Sequence, residues 1–199
     1  MSDPLARYPR KLQGDLVARP LRAEDEAALA DFFRRVPIEE CHLFKDDVRK
    51  QATIQSWVRN LDTSNILPLL VFEGTRVVAD ATLHRDKRGW SRHVGKIRVT
   101  IDPERRGRGL ARALVKEFQD LAPLLGLGIL HGEILDTQAR AQALFDSLGF
   151  TRVAVLPQQA IDLAGRVHDV LIYSCTVVPP AQIAAKTSLS EGDADIGGG

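Results

Sequence analysis

The run from Ile97 to Phe118, IRVTIDPERRGRGLARALVKEF, constrains the fold more than any other stretch. It reads as a β-strand, a tight glycine-containing turn and an amphipathic helix. Gly107 and Gly109 let the backbone turn sharply and keep side chains away from the junction. The first-turn N–H groups of the following helix then point outward, unpaired and partly positive. Such a helix start is a cradle for a phosphate or pyrophosphate. Arg105, Arg106, Arg108 and Arg112 bring further positive charge. A P-loop is excluded, because Leu110 and Ala111 follow the last glycine where Lys-Ser or Lys-Thr would stand. A dinucleotide fingerprint is excluded as well, for want of a third glycine and an acidic ribose partner. On spacing alone, an ordinary strand-to-helix turn with a solvated basic face remains open.

Elsewhere the chain alternates strand and helix signals. Asp15 to Pro20 reads as a first strand. Glu24-Asp25-Glu26 opens a helix where the dipole favours negative charge, and Leu29, Phe32, Phe33 and Val36 give it a buried stripe before Pro37 stops it. A second helix is expected over Asp46 to Leu61. Leu67 to Phe72 and Arg76 to His84 are expected to pair through Glu73-Gly74-Thr75, and Gly95 to Ile101 follows. A helix is expected over about Arg108 to Ala122 with Leu110, Leu114 and Phe118 inward, then a strand Gly128 to Leu135 and a helix Gln138 to Leu148. Strands near Thr151 to Leu156 and His168 to Val177 close the order. The fold class is α/β, with a mixed central sheet of about seven strands and helices on both faces. Residues 1–14 are expected to form a flexible arm, 15–178 one domain, and 179–199 a small, polar, disordered tail.

The 199 residues carry a formal net charge of only +1, so nothing pulls the chain globally toward nucleic acid or membrane. No apolar run approaches the ~20 residues of a spanning helix. Cys41 and Cys175 lack metal spacing, and without a secretory signal free thiols and a cytoplasmic protein are expected. No metal site is expected.

Two motifs in order carry a resemblance. Arg106-Gly107-Arg108-Gly109-Leu110-Ala111 has the form Arg-x-x-Gly-x-Ala and resembles the acyl-CoA pyrophosphate loop of the GNAT superfamily of N-acetyltransferases. Glu133 to Gln138 and Leu144 to Phe150, ending Leu148-Gly149-Phe150, resemble that family's fifth strand and fourth helix. The resemblance implies a sheet splayed between the family's fourth and fifth strands, here Gly95–Ile101 and Gly128–Leu135. It implies acetyl-CoA as cosubstrate, bound by Val99, Thr100, Ile101, Arg106, Gly107, Arg108, Gly109, Leu110, Ala111, Arg112, Gln138 and Phe145. The implied reaction is direct acetyl transfer to a primary amine, of a protein lysine or of a small molecule. Tyr8-Pro9-Arg10, Val17 to Arg22, Glu24-Asp25 and Phe32-Phe33 are similar to the acetyltransferase domain of bacterial protein-lysine acetyltransferases, which raises a protein lysine as acceptor. The resemblance puts acceptor choice at about Pro37 to Phe44 and Pro157 to Val167. A homodimer is compatible with it, and neither nucleic acid nor membrane is expected as a partner.

Catalysis is less legible. Glu133 falls on a glutamate that serves as base in ribosomal-protein N-acetyltransferases of this superfamily; a surface carboxylate paired with a nearby cation is the other reading. Phe145 stands where the resembled motif usually has a proton-donating tyrosine, so that acid is missing. The thiolate then leaves unaided or through water, or another group such as Ser147, Tyr173 or His131 donates, or the domain is a non-catalytic acyl-CoA-binding module. Asp80, inside the apolar run Val77 to Leu83, faces either the acceptor cleft or solvent. Gln138 replaces the usual asparagine; its longer amide is expected to hydrogen-bond near the pantetheine.

Overall fold

The structure, a computed structural model, describes residues 3–44, 46–179 and 182. After a 3-10 turn at Pro4–Arg7, the chain runs β1 (Arg10–Lys11), β2 (Leu16–Pro20), α1 (Glu26–Arg35), α2 (Ile38–Cys41) and α3 (Gln51–Arg59). It continues through β3 (Ile66–Glu73), β4 (Arg76–Arg85), β5 (Val94–Ile101), α4 (Leu110–Leu121) and β6 (Ile129–Leu135). It ends with α5 (Ala139–Asp146), β7 (Thr151–Ile161) and β8 (Val167–Thr176). One eight-stranded sheet has the order β1-β2-β3-β4-β5-β6-β8-β7. All pairings are antiparallel except β5 with β6, which is parallel because α4 carries the chain back over the sheet. The eighth strand, beyond the seven expected, is β1.

Alternation along the strands sorts residues to the two faces. One face, with Leu69, Ala81, Leu83, Ile97, Leu130 and Ile134, packs under α4 and α5. From α4 come Leu110, Leu114, Phe118 and Leu121, spaced at helical period and essentially fully buried. Each such side chain contributes about 1.5–3 kcal/mol. The other face, with Leu70, Phe72 and Val77, packs under Leu29, Phe32 and Phe33 of α1 and Ile54 of α3.

The expectation of a loose arm at residues 1–14 is corrected for residues 3–14. Glu117, buried within α4, accepts hydrogen bonds from the Tyr8 hydroxyl (2.8 Å) and Arg10 Nη1 (2.5 Å), with Arg7 Nε 3.3 Å away. Leu5, Tyr8 and Leu12 pack onto the core beside it. A buried carboxylate needs such partners, and the arm supplies them. The expected tail at 179–199 falls almost wholly outside the described residues. Both cysteines are free and buried. Among the described residues no helix is long and apolar enough to cross a membrane.

Candidate active site

The parallel ladder between β5 and β6 runs only from Val94↔Ile129 to Ile97↔Gly132. Beyond it the strands part: Arg98–Ile101 stays paired to β4, and Glu133–Leu135 to β8. The Asp102 N–H donates to the Val78 carbonyl across to β4. The alternation of an antiparallel ladder therefore turns the peptide groups of Thr100 toward β4 and those of Val99 and Ile101 toward the gap. Thr100 is thus corrected as a backbone contact for a ligand in the gap; its side chain is buried on the α1–α3 face.

At one end of the gap, Asp102 closes β5. Its buried carboxyl receives Arg35 Nε (2.8 Å), Arg76 Nη2 (2.9 Å) and the Glu104 N–H (3.1 Å). Burial acts to raise this carboxyl, but those hydrogen bonds outweigh it and hold it below the usual carboxylate range. The chain then enters α4 through Gly107 (φ 74°) and Gly109 (φ 78°). Both angles lie in the left-handed region that glycine occupies without strain. Gly109 is the N-cap and no side chain caps the helix, so its first N–H groups stay available. A Cβ at Gly107 would meet nothing within 4 Å. An uncapped, glycine-entered start of a twelve-residue helix fits a pyrophosphate.

The four arginines are not equivalent. Arg105 is tied to Glu73. Arg106 makes a two-pronged contact with Glu40 of α2, both at 2.8 Å, and donates to the Ile101 carbonyl. Arg112 Nη2 donates to Ser147 Oγ at 2.6 Å. Among the described residues Arg108 makes no side-chain hydrogen bond or ion pair, so it alone is free to swing toward a phosphate. Its carbonyl accepts from Gln13 Nε2 at 2.9 Å, a clamp from the arm that sequence reading did not find. The Leu110 side chain belongs to the core, leaving only its N–H to the site, and Ala111 is half-buried.

On the α5 side, Gln138 Oε1 accepts from the Leu135 N–H at 3.0 Å. It thereby fixes the end of β6, a role on the protein's own backbone. Phe145 lies at the floor of the gap. Its ring rests on Gly132 so closely that a Cβ there would sit 2.2 Å from Cε1. It also packs against Phe150 (4.6 Å between centroids) and Tyr173 (5.9 Å).

The α1–α3 face of the gap is charged. Asp80, Arg98 and Glu133 come from β4, β5 and β6, and Lys96 is ion-paired to Glu133. Asp80 is 4% exposed. Burial pushes its carboxyl up to about 7, against the downward pull of Arg98. Asp80 therefore points into the protein beside the gap and not to open solvent. Burial, helped by Lys96, pushes His131 below its usual value, so it is a neutral ring at neutral pH. Phe44, between α2 and α3, lies under the Arg98 guanidinium at 4.6 Å. The alternating Lys96-x-Arg98-x-Thr100 pattern was the sequence signal for this cluster, and its strand register was what sequence reading lacked.

Residues 27–150 match the Acetyltransferase (GNAT) family. The chain belongs to the GNAT acetyltransferase family. Among curated proteins, this GNAT chain is 26% identical to the L-amino acid N-acyltransferase MnaT of Escherichia coli K12 over 139 residues, 69% of this chain and 80% of that one. A 60-residue stretch is 37% identical to an uncharacterized protein of Mycobacterium leprae, ML0378, covering 30% of this chain but only 16% of that protein. Among solved structures, the acetyltransferase yncA of Salmonella typhimurium with acetyl-CoA aligns with a TM-score of 0.70 at 22% identity, covering 84% of this chain and 97% of that one. The ribosomal-protein-S5-alanine acetyltransferase of Vibrio fischeri aligns with a TM-score of 0.73 at 14% identity, covering 83% and 95%. These likenesses establish the GNAT fold.

Proposed function

We propose that this chain is an acetyl-CoA-dependent N-acetyltransferase that moves an acetyl group directly onto a primary amine, of a protein lysine or of a small molecule. The observation that carries the reading is the gap itself. Two parallel strands part beyond Ile97 and Gly132, with an uncapped helix start at one end and carboxylates along one face. Acetyl-CoA supplies the thioester. Val99, and the N–H of Ile101 whose carbonyl is taken by Arg106, offer its pantetheine arm the hydrogen bonds of a neighbouring strand, and the N–H groups from Gly109 to Arg112 receive the pyrophosphate, with Arg108 closing on it.

In the reaction, the neutral amine nitrogen attacks the thioester carbonyl carbon. A C–N bond forms, the C–S bond breaks, and the sulfur leaves with the electron pair as CoA thiolate. The amine's surplus proton goes to Glu133, which stands at the first position of β6 past the ladder and is paired with Lys96. A second reading has an observation of its own. Asp80, raised to about 7, is matched to accepting a proton near neutral pH. Neither Phe145 nor Ser147 suits the leaving thiolate. The first has no hydroxyl, and the second already donates to the Leu144 carbonyl while accepting from Arg112. The thiolate then departs unaided, takes its proton from water, or takes it from Tyr173, which packs against Phe145, or from His131. Residues 15–178 form the transferase unit. A homodimer is part of the reading, since edge strand β7 is exposed along nearly all its length and bears Val153, Val155, Leu156 and Ile161.

The test is the pH dependence of amine-driven CoA release. With Glu133 as base, Glu133→Gln lowers turnover at every pH while acetyl-CoA affinity, read by calorimetry, stays put. With Asp80 as base, Asp80→Asn instead removes the rise in rate near pH 7. A non-catalytic acyl-CoA-binding module would bind acetyl-CoA and release no CoA with any amine.

A further inference from the structure

Among the described residues of the cleft face, Arg98 is a charged group that the proposed reaction does not use. It stands on β5 directly across from Thr82, next to Thr100, which is paired with Asp80. It lies at the point where β5 leaves β6, so that Glu133 is its counterpart across the gap. Asp80 and Glu133 are both near enough for their charges to act on Arg98. Yet among the described residues its guanidinium makes no hydrogen bond, to either of them or to any other group. Glu133 is engaged by Lys96 instead. Arg98 is held by its stack on Phe44, which fixes the plane of the fork without using its N–H donors. Burial outweighs the two carboxylates and pushes its pKa down, as expected for a cation kept from water.

The guanidinium is half-buried, yet none of its nitrogens is sealed from solvent, so its five donors are unspent within the protein and open to an acceptor from outside. The planar fork matches a carboxylate in two-pronged fashion. The flanking Asp80 and Glu133 match an ammonium or amine. A guanidinium flanked by the Glu133 carboxylate and by Asp80, partly ionised at neutral pH, is the complement of a group that carries its amine and its anion on one carbon or two.

We propose, resting on the transferase reading above, that Arg98 is the anchor for a carboxylate on the acceptor, so that the acceptor is a free amino acid or a close amino-acid analogue and not a protein lysine. The carboxylate lies on the Arg98 fork over Phe44, and the adjacent amine lies between Asp80 and Glu133, facing the thioester. A lysine ε-amine has no anion near its nitrogen. It would bring a cation alone against Arg98 and Lys96, leaving the fork unpaired. Polyamines meet the same repulsion.

The experiment compares the proteinogenic L-amino acids with their carboxamides and with Nα-acetyl-L-lysinamide, an ε-amine without a carboxylate. CoA release is measured for wild type, Arg98→Gln and Arg98→Lys. The expected result is a kcat/KM at least tenfold higher for the favoured amino acid than for its carboxamide. That ratio should fall to about one in Arg98→Gln and recover in part in Arg98→Lys, while the acetyl-CoA dissociation constant stays within twofold. The same compounds are titrated calorimetrically into CoA-loaded protein, which reads the anchor without turnover. Binding of an amino acid but not its carboxamide, lost in Arg98→Gln, supports the anchor even where no CoA is released; that pattern would overturn the base assignment alone. Equal use or equal binding of acid and carboxamide, or a preference for Nα-acetyl-L-lysinamide, overturns the anchor and leaves acetyl transfer to another amine standing.

Discussion

Gly132→Ala places one methyl group where the structure has no room for it. The new Cβ would lie 2.2 Å from Cε1, 2.7 Å from Cζ and 3.2 Å from Cδ1 of Phe145. Carbon atoms in contact prefer about 3.5–4.0 Å, so the ring must retreat by roughly an ångström or more. Its retreat is blocked by Phe150 and Tyr173. Overpacking of this kind costs about 1–3 kcal/mol. With three ring carbons involved, we expect about 3 kcal/mol, or a fall in Tm of roughly 6–12 °C for a chain of this size. Thermal and urea unfolding measure it, and a double-mutant cycle assigns it. Phe145→Leu alone loses apolar area, at about 1–2 kcal/mol. In the Gly132→Ala background the same change relieves the clash, so the double variant should be more stable than Gly132→Ala alone. A Tm within 2 °C of wild type for Gly132→Ala, or strictly additive losses in the cycle, would refute the packing of Phe145 on the floor of the gap.

Three further outcomes are expected. Asp102→Ala removes the buried carboxylate that joins Arg35, Arg76 and the Glu104 N–H, while Arg35 keeps Asp31 and the Val77 carbonyl and Arg76 keeps Glu104, so it should cost about 1–3 kcal/mol in urea unfolding; because its folded pKa is depressed, the Asp102 contribution is full above the unfolded carboxylate value and is lost as pH falls through the folded one, so wild type and variant should converge in acid. Asp80→Asn should act in the opposite sense. The folded carboxyl, at about 7, keeps its proton where the unfolded one has lost it, so wild-type stability falls as pH rises from about 4 to about 7, by at most about 1.4 kcal/mol per unit, and the variant should lack that slope. Phe145→Tyr should raise turnover only modestly and leave acetyl-CoA affinity unchanged; a gain of a hundredfold would mean that thiolate departure limits the reaction.

Most helices and strands were legible because their apolar spacing is regular. Leu110, Leu114 and Phe118 of α4 fall at helical period and are buried as a stripe. The exceptions have local causes. The helix expected from Asp46 begins only at Gln51, because Asp46 accepts from Trp57 Nε1 and Asp47 accepts the Arg49 N–H in a turn of its own. Strand β7 outruns Leu156 to reach Ile161 by absorbing Pro157 and Gln158, the latter at φ 56°, in an irregular stretch of the ladder. The arm was misjudged because Tyr8 and Arg10 are bland in sequence; their partner Glu117 lies more than a hundred residues away. The glycine loop was readable, since the demand for φ > 0 is local. Which arginine stays free was not, because Glu73, Glu40 and Ser147 reach the loop only through tertiary packing. Arg98 likewise gains its meaning from the register of three strands.

The central claim is amine-dependent transfer from an acetyl-CoA held at the start of α4. It is tested most directly by CoA release from acetyl-CoA across a broad amine and amino-acid panel, with wild type and Gly109→Glu side by side. The left-handed Gly109 would acquire a strained, negatively charged side chain where phosphates are expected. The account predicts that wild type releases CoA only when an acceptor amine is present, and that Gly109→Glu neither binds acetyl-CoA in calorimetry nor releases CoA. Tight acetyl-CoA binding by wild type with no CoA release for any amine, or unchanged binding by Gly109→Glu, would contradict it.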